Sequence, residues 1–265
     1  MKKRIAIISD LHCGHFAGLT PPAWHVNGSR ERFGRWEAQQ KLMWTQYVRM
    51  MKALQPIHLL IVNGDGIDGK GYRSQGTELI VADRNEQCDM AVKCIQVAKA
   101  KHVLMTYGTA YNTGDGEDWE LNVAERVGAD KIGSHEWADV NGCIFDLKHH
   151  VGGSTIPHGR ATPILREKLW NAIWADKRLQ PDATIVIRSH VHYYVAAWQN
   201  GVLAINTAGL QGYGSKYGSR RVSGTVDVGL EALDVDDKGV ATFVAGRPGA
   251  WLFDMQPVSP EPLKL

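Results

Sequence analysis

Cysteine is scarce and scattered: Cys13, Cys88, Cys94 and Cys143 are the only four in 265 residues. None stands in a Cys-x-x-Cys pair, which argues against a disulfide framework or a structural zinc site, and reduced thiols in the cytoplasm are the expectation. Long apolar runs are missing too. No stretch reaches the ~20 residues that a membrane-spanning helix needs. The run behind Met1-Lys2-Lys3-Arg4 is too short for a secretory leader and meets Asp10 at once. Nor does one sign of charge dominate. Thirty basic against 28 acidic residues leave a net +2, which argues against a dominant electrostatic partner such as duplex DNA but permits a local basic patch. There is no internal repeat. What remains is an ordinary globular composition, 44% hydrophobic and 22% charged, long enough to bury a substantial core. Eleven histidines in so neutral a chain raise the question of a metal.

The apolar pattern alternates strand and helix. Ile5–Ile8, His58–Val62 and His102–Tyr107 read as strands buried on both faces, and Trp36–Leu54 and Asp83–Lys101 as helices between them. That order predicts parallel strands with right-handed crossovers. Glu117–Val127 reads as a short helix, and Cys143–Leu147 and Thr184–Arg188 as strands. Between these two strands, Thr162–Arg178 reads as an amphipathic helix with Leu165, Leu169, Ile173 and Trp174 on one face. Short strands follow at Val195–Trp198, Val202–Asn206, Thr225–Val235 and Val240–Val244, the last two joined by an Asp236-Asp237-Lys238-Gly239 hairpin turn. Residues 1–256 are expected to form one domain, with a Pro-rich tail over 257–265.

Each buried strand is followed by metal-capable side chains: Asp10 and His12, then Asp65, Asn112, His149 with His150, and His190 with His192. In parallel sheets ligands bind beyond the carboxyl ends of the strands, where these turns meet. In an extended backbone the two-residue spacing would point Asp10 and His12 the same way. Two Asp, five His and no Lys over five strands exceed the needs of one tetrahedral ion, so two divalent ions are expected. Gly64 to Lys70 has the spacing of a phosphate-binding loop, but Gly71 stands where Ser or Thr is needed and no helix pattern follows.

Asp10-x-His12, Gly64-Asp65, the glycine turn after the third strand, a later strand-end histidine and His190-x-His192 together resemble the calcineurin-like metallophosphoesterase superfamily. The resemblance runs from Ile5 to about His192. It implies an α/β fold, a four-layer α/β/β/α sandwich whose two central sheets are mostly parallel or mixed. It also implies that Asp10, His12 and His192 hold one ion, that Asn112, His149 and His190 hold the other, and that Asp65 bridges them. Manganese is the favoured metal, with iron, zinc or magnesium as alternatives. The implied reaction is hydrolysis of a P–O ester, a hydroxide held between the two ions attacking phosphorus in line.

This sequence departs from the pattern at the third motif. The family has Gly-Asn-His there, the Asn a ligand and the His a proton donor to the leaving group; here Gly108 is followed by Thr109, Ala110, Tyr111 and only then Asn112. The ligand place falls to Asn112, to Thr109 or to a water. His149 is preferred to its neighbour as ligand, and His150 is the candidate proton donor, with His15 as an alternative. Lys216, Arg220 and Arg221, in a Gly- and Tyr-rich segment, are candidate substrate-binding residues, or else belong to a surface loop. A phosphodiester, including nucleic acid or a cyclic nucleotide, is the preferred substrate class. The alternatives are a phosphomonoesterase on nucleotide or protein phosphates, and a non-enzymatic, metal-stabilised scaffold.

Overall fold

The apolar strands pair as the alternation requires. In a computed structural model, which describes residues 1–28, 32–113, 118–199, 201–215, 224–244 and 251–255, β1 (Lys3–Ile8) is followed by α1 (Glu37–Leu54), β2 (Leu59–Asn63), α2 (Arg84–Gln96) and β3 (His102–Thr106). The short α3 (Ala110–Thr113) and α4 (Trp119–Val127) lead to β4 (Lys131–Gly133). β1, β2, β3 and β4 are parallel neighbours. Asp83 caps α2 by accepting the Glu86 N–H at 3.0 Å, as an aspartate at that position should.

β5 (Glu136–Val140) and β6 (Cys143–Leu147) start a second sheet, continued after α5 (Thr162–Asp176) by β7 (Ile185–Arg188), β8 (Val195–Gln199) and β9 (Val202–Asn206). Its order is β5-β6-β7-β9-β8, with β6, β7 and β9 parallel and both edge strands antiparallel. The chain then returns to the first sheet as β10 (Gly229–Val235), β11 (Ala241–Phe243) and β12 (Trp251–Leu252). β10 lies antiparallel to β1 on one side and to β11 on the other, the latter through the expected hairpin. Both sheets are therefore mixed.

Strand alternation builds the layers. Ile5 and Ile7 of β1 join Ile61, Leu104 and Leu233 against Phe145, Leu147, Ile187 and Ile205 of the second sheet. Ala6 and Ile8, pointing the other way, pack with Leu60 and Val62 against Met43, Tyr47 and Met51 of α1 and Cys94 of α2. Ile164 of α5 packs on Val186 and Ala204, closing the outer face of the second sheet. The result is the α/β/β/α arrangement that the resemblance implies.

The apolar face that the spacing gives α5 is not the one it buries. The helix buries Ile164 and Asn171, while Leu169 and Trp170 are 58% and 51% exposed and Trp174 is 40% exposed. The helix is apolar on more than one side, so periodicity alone could not choose the face that meets the sheet. The segment 257–265 and Lys216, Arg220 and Arg221 lie outside the described residues.

Candidate metal centre

The carboxyl ends of both sheets converge on one polar cluster. β1 stops at Ile8 and β2 at Asn63, and the turns beyond them run side by side: the Asp10 N–H donates to the Gly64 carbonyl and the His12 N–H to the Asp65 carbonyl, each at 3.0 Å. The residues in these turns are not extended. Asp10, His12, Asp65, His190 and His192 have φ between 44° and 76°, and they make up five of the nine non-glycine residues with positive φ among the described residues. Left-handed backbone at a non-glycine residue costs about 1–3 kcal/mol, so its concentration at one sheet edge marks a functional demand. Gly64 and Gly108 permit the close approach. A Cβ on either would overlap the His149 ring or the Asp65 carboxylate respectively.

Two groups of three result. Asp10, His12 and His192 bring one ligand atom each to within 4.8 Å of one another, and so do Asp65, His149 and His190. His192 Nε2 is 3.1 Å from Asp10 Oδ1, and His149 Nε2 is 3.2 Å from Asp65 Oδ2 and 3.9 Å from Asp10 Oδ1. The groups are thus adjacent. Asp65 stands between them, with its Oδ2 also 3.8 Å from His12 Nε2.

The imidazoles are oriented from behind. His12 Nδ1 donates to Asp68 Oδ1 at 2.9 Å and His149 Nδ1 donates to the Asn63 carbonyl at 2.7 Å, which turns each Nε2 into the site. Thr109 holds Asp65 with two bonds, N–H to Oδ1 at 2.6 Å and Oγ1–H to Oδ2 at 2.8 Å. Beneath the cluster runs a buried chain of small polar side chains. Ser9 Oγ meets Thr207 Oγ1, which reaches Ser189 Oγ, and Asn63 Nδ2 also donates to Ser189 Oγ while its Oδ1 accepts from Thr106. Five strands from two sheets are pinned together there. Glu120 of α4, also buried, accepts the N–H of Gly66 with one oxygen and that of Gly108 with the other.

The donor set fits cations. Asp10 Oδ1, His12 Nε2 and His149 Nε2 are buried with no hydrogen-bond partner among the described residues. Orphaned polar atoms in a native core need an explanation, and a shared metal ion supplies one. The field agrees. Burial opposes ionisation of Asp10 and Asp65, yet the facing histidines hold both well below the ordinary carboxylate range. Burial likewise opposes charge on His149 and His12, yet the carboxylates raise them to about 10 and about 8. His190, desolvated and facing His149, falls to about 4. Ionised carboxylates thus face the histidine ring nitrogens across the cluster.

The third motif resolves into a helical turn. The Asn112 N–H donates to the Thr109 carbonyl at 2.8 Å, so α3 carries Asn112 one turn beyond the strand end. Thr109 Oγ1, 3.4 Å from His190 Nδ1, stands beside the Asp65 group. Asn112, buried with its side-chain nitrogen unpartnered among the described residues, instead lines a cavity of about 80 Å³ together with His12, His15 and Asp68. His15 is held there, accepting the Ala17 N–H at Nδ1. His150 is exposed at the mouth of a larger cleft of about 430 Å³, its ring 4.6 Å from that of His190. His12, Asp65, His190 and His192 form the floor of that cleft. Sequence reading missed Asp68, Thr109's hold on Asp65, Glu120 and the hydroxyl chain.

No protein-family model matches the sequence, and no curated relative does. Solved structures do. One is an archaeal phosphodiesterase, 14% identical over 91% of this chain and 98% of that one, with a TM-score of 0.49. Another is a predicted phosphoesterase from Streptococcus pneumoniae, 11% identical over 96% and 98%, with a TM-score of 0.41. A third is Vps29 of Entamoeba histolytica complexed with zinc, 15% identical over 95% and 99%, with a TM-score of 0.44.

Proposed function

We propose that this chain is a metal-dependent phosphoesterase that hydrolyses a P–O ester at the convergent sheet edge, with phosphodiesters preferred. The observation that carries this reading is the pair of adjacent triplets, Asp10/His12/His192 and Asp65/His149/His190, with orphaned atoms facing inward. Asp65 would be the carboxylate that the two ions share, and Thr109 rather than Asn112 would take the third-motif ligand place.

Two such ions, when bound, activate water and neutralise charge on a transferring phosphoryl group. The chain's own residues do the rest. Asp68 and the Asn63 carbonyl fix the two imidazoles so that no reorganisation is needed when substrate arrives. Thr109 prevents Asp65 from rotating out of its shared position. His150, at the cleft mouth beside His190, is placed to give a proton to the departing oxygen. Gly152 to Thr155 and Gln211 to Ser215 line the cleft beyond the triplets, and its volume of about 430 Å³ leaves room for the second substituent of a diester.

The test is metal content by elemental analysis together with Mn²⁺-dependent hydrolysis of bis-p-nitrophenyl phosphate and p-nitrophenyl phosphate. About two ions per chain with faster turnover of the diester are expected. Bound metal with no turnover of either ester would favour the scaffold reading instead.

A further inference from the structure

The large cleft has a second polar feature besides the two triplets. Arg160, in the loop between β6 and α5, lines the same cavity as His12, Asp65, His190 and His192, and it is the one Lys or Arg among the described residues that does so. Its guanidinium lies over the Tyr193 ring, 4.6 Å from the centroid. Its protein hydrogen bonding is poor. Nη1 reaches Thr225 Oγ1 only at 3.5 Å, Nε is buried with no partner, and no carboxylate pairs with it among the described residues. A guanidinium placed over an aromatic ring, with its Nε buried and its outer nitrogens open to the cleft, is pre-organised to offer its fork to a ligand. The Tyr193 backbone is fixed in turn, its carbonyl accepting from buried Asn206.

Resting on the phosphoesterase reading, we infer that Arg160 binds a second phosphate of the substrate, one distinct from the phosphoryl group being hydrolysed. Its contacts, Tyr193, Thr225 and the neighbouring Gly224, all lie outside the two triplets that would take the scissile group, which is the ground for giving it another phosphate. A guanidinium fork matches phosphate oxygens with two parallel hydrogen bonds. The substrate class is therefore a phosphodiester flanked by another phosphate, as along an oligonucleotide or in a nucleoside carrying phosphates at both the 3′ and 5′ positions.

Two chromogenic diesters with the same scissile bond decide the matter: the 5′-p-nitrophenyl phosphate of thymidine, and the same compound carrying an added 3′-phosphate. The native protein should show kcat/KM at least about tenfold higher for the doubly phosphorylated compound, mainly through KM. Arg160→Gln should bring that ratio down to about one, and Arg160→Lys, which keeps charge but not the fork, should restore part of it. A native ratio near one, or a large ratio that survives Arg160→Gln, overturns the inference. Equilibrium binding of thymidine 3′,5′-bisphosphate against thymidine 5′-monophosphate reads the same preference without turnover. Failure of the phosphoesterase reading, seen as no hydrolysis of either diester, is thereby separated from failure of the second-phosphate assignment, seen as equal binding of the two nucleotides.

Discussion

His12 donates its Nδ1 hydrogen to Asp68 at 2.9 Å, and this one bond decides which ring nitrogen the site receives. Asp68→Asn keeps the shape but offers a weaker, reorientable partner. If the Asp10 group holds an ion as proposed, affinity for it should fall about 10- to 100-fold, as is usual for the loss of such outer partners. Titration against a competing chelator measures it, and unchanged affinity would show that Asp68 is not what orients His12.

Asp65→Asn removes the carboxylate that stands between the two triplets while keeping an acceptor for Thr109. Hydrolysis of mono- and diester substrates should fall together, by at least about a hundredfold. Loss of one activity without the other would mean two separate centres.

Glu120 is pushed up to about 7, first by burial and then by the nearby charge of Asp65, and both its oxygens accept backbone N–H groups. In Glu120→Gln one of those oxygens becomes an NH₂ facing another donor. Stability to urea should drop by about 1–3 kcal/mol, the usual cost of a buried donor left unpaired. A neutral result would show that the turns at Gly66 and Gly108 hold themselves.

Arg188, 2% exposed at the end of β7, donates to Asp146 at 2.7 Å and to Glu167 at 3.0 Å. Arg188→Met strands a buried carboxylate, and the expected loss is about 3–5 kcal/mol. Denaturant unfolding reads it directly. A loss below about 1 kcal/mol would mean that His135 and Asn171 alone suffice for Asp146.

The same network sets an acid limit. Burial would raise Asp146, but His135 and Arg188 outweigh it and hold the group below its ordinary 3.8. A carboxyl depressed in the folded state contributes stability that is present above its unfolded value and lost as pH falls through its folded value. Stability should therefore decline below about pH 4, and Asp146→Asn should flatten that decline. An identical acid profile in the variant would remove Asp146 from the account.

Much of the site was legible because strand ends are easy to read. Five apolar runs, each followed by Asp, Asn or His, gave the convergent edge. Asp10 and His12 are nevertheless not in the extended backbone that their spacing suggests. Their common direction comes from two left-handed residues in a turn, not from strand alternation, and nothing in the residue types announces that conformation. Thr109 and Asn112 could not be ranked because a single helical turn, α3, separates them and four residues carry no periodicity. Asp68 and Glu120 act on backbone and ring atoms that only the topology brings near. Ser9, Asn63, Thr106, Ser189 and Thr207 read individually as ordinary strand-end polar residues; their linkage needs both sheets in place. The exposed face of α5 shows the converse failure, where apolar residues were abundant and burial did not follow.

The five left-handed turn residues set function against stability in a way a core residue does not. Glycine at His190 or His192 would relax a backbone cost of about 1–3 kcal/mol while deleting a member of its triplet. A lineage of this chain freed from chemistry would thus become more robust by losing its histidines, and would keep its two sheets joined through the hydroxyl and amide chain below them. The architecture and the reactive edge are separable, and a rigid platform with a smooth polar rim is what this fold would leave behind.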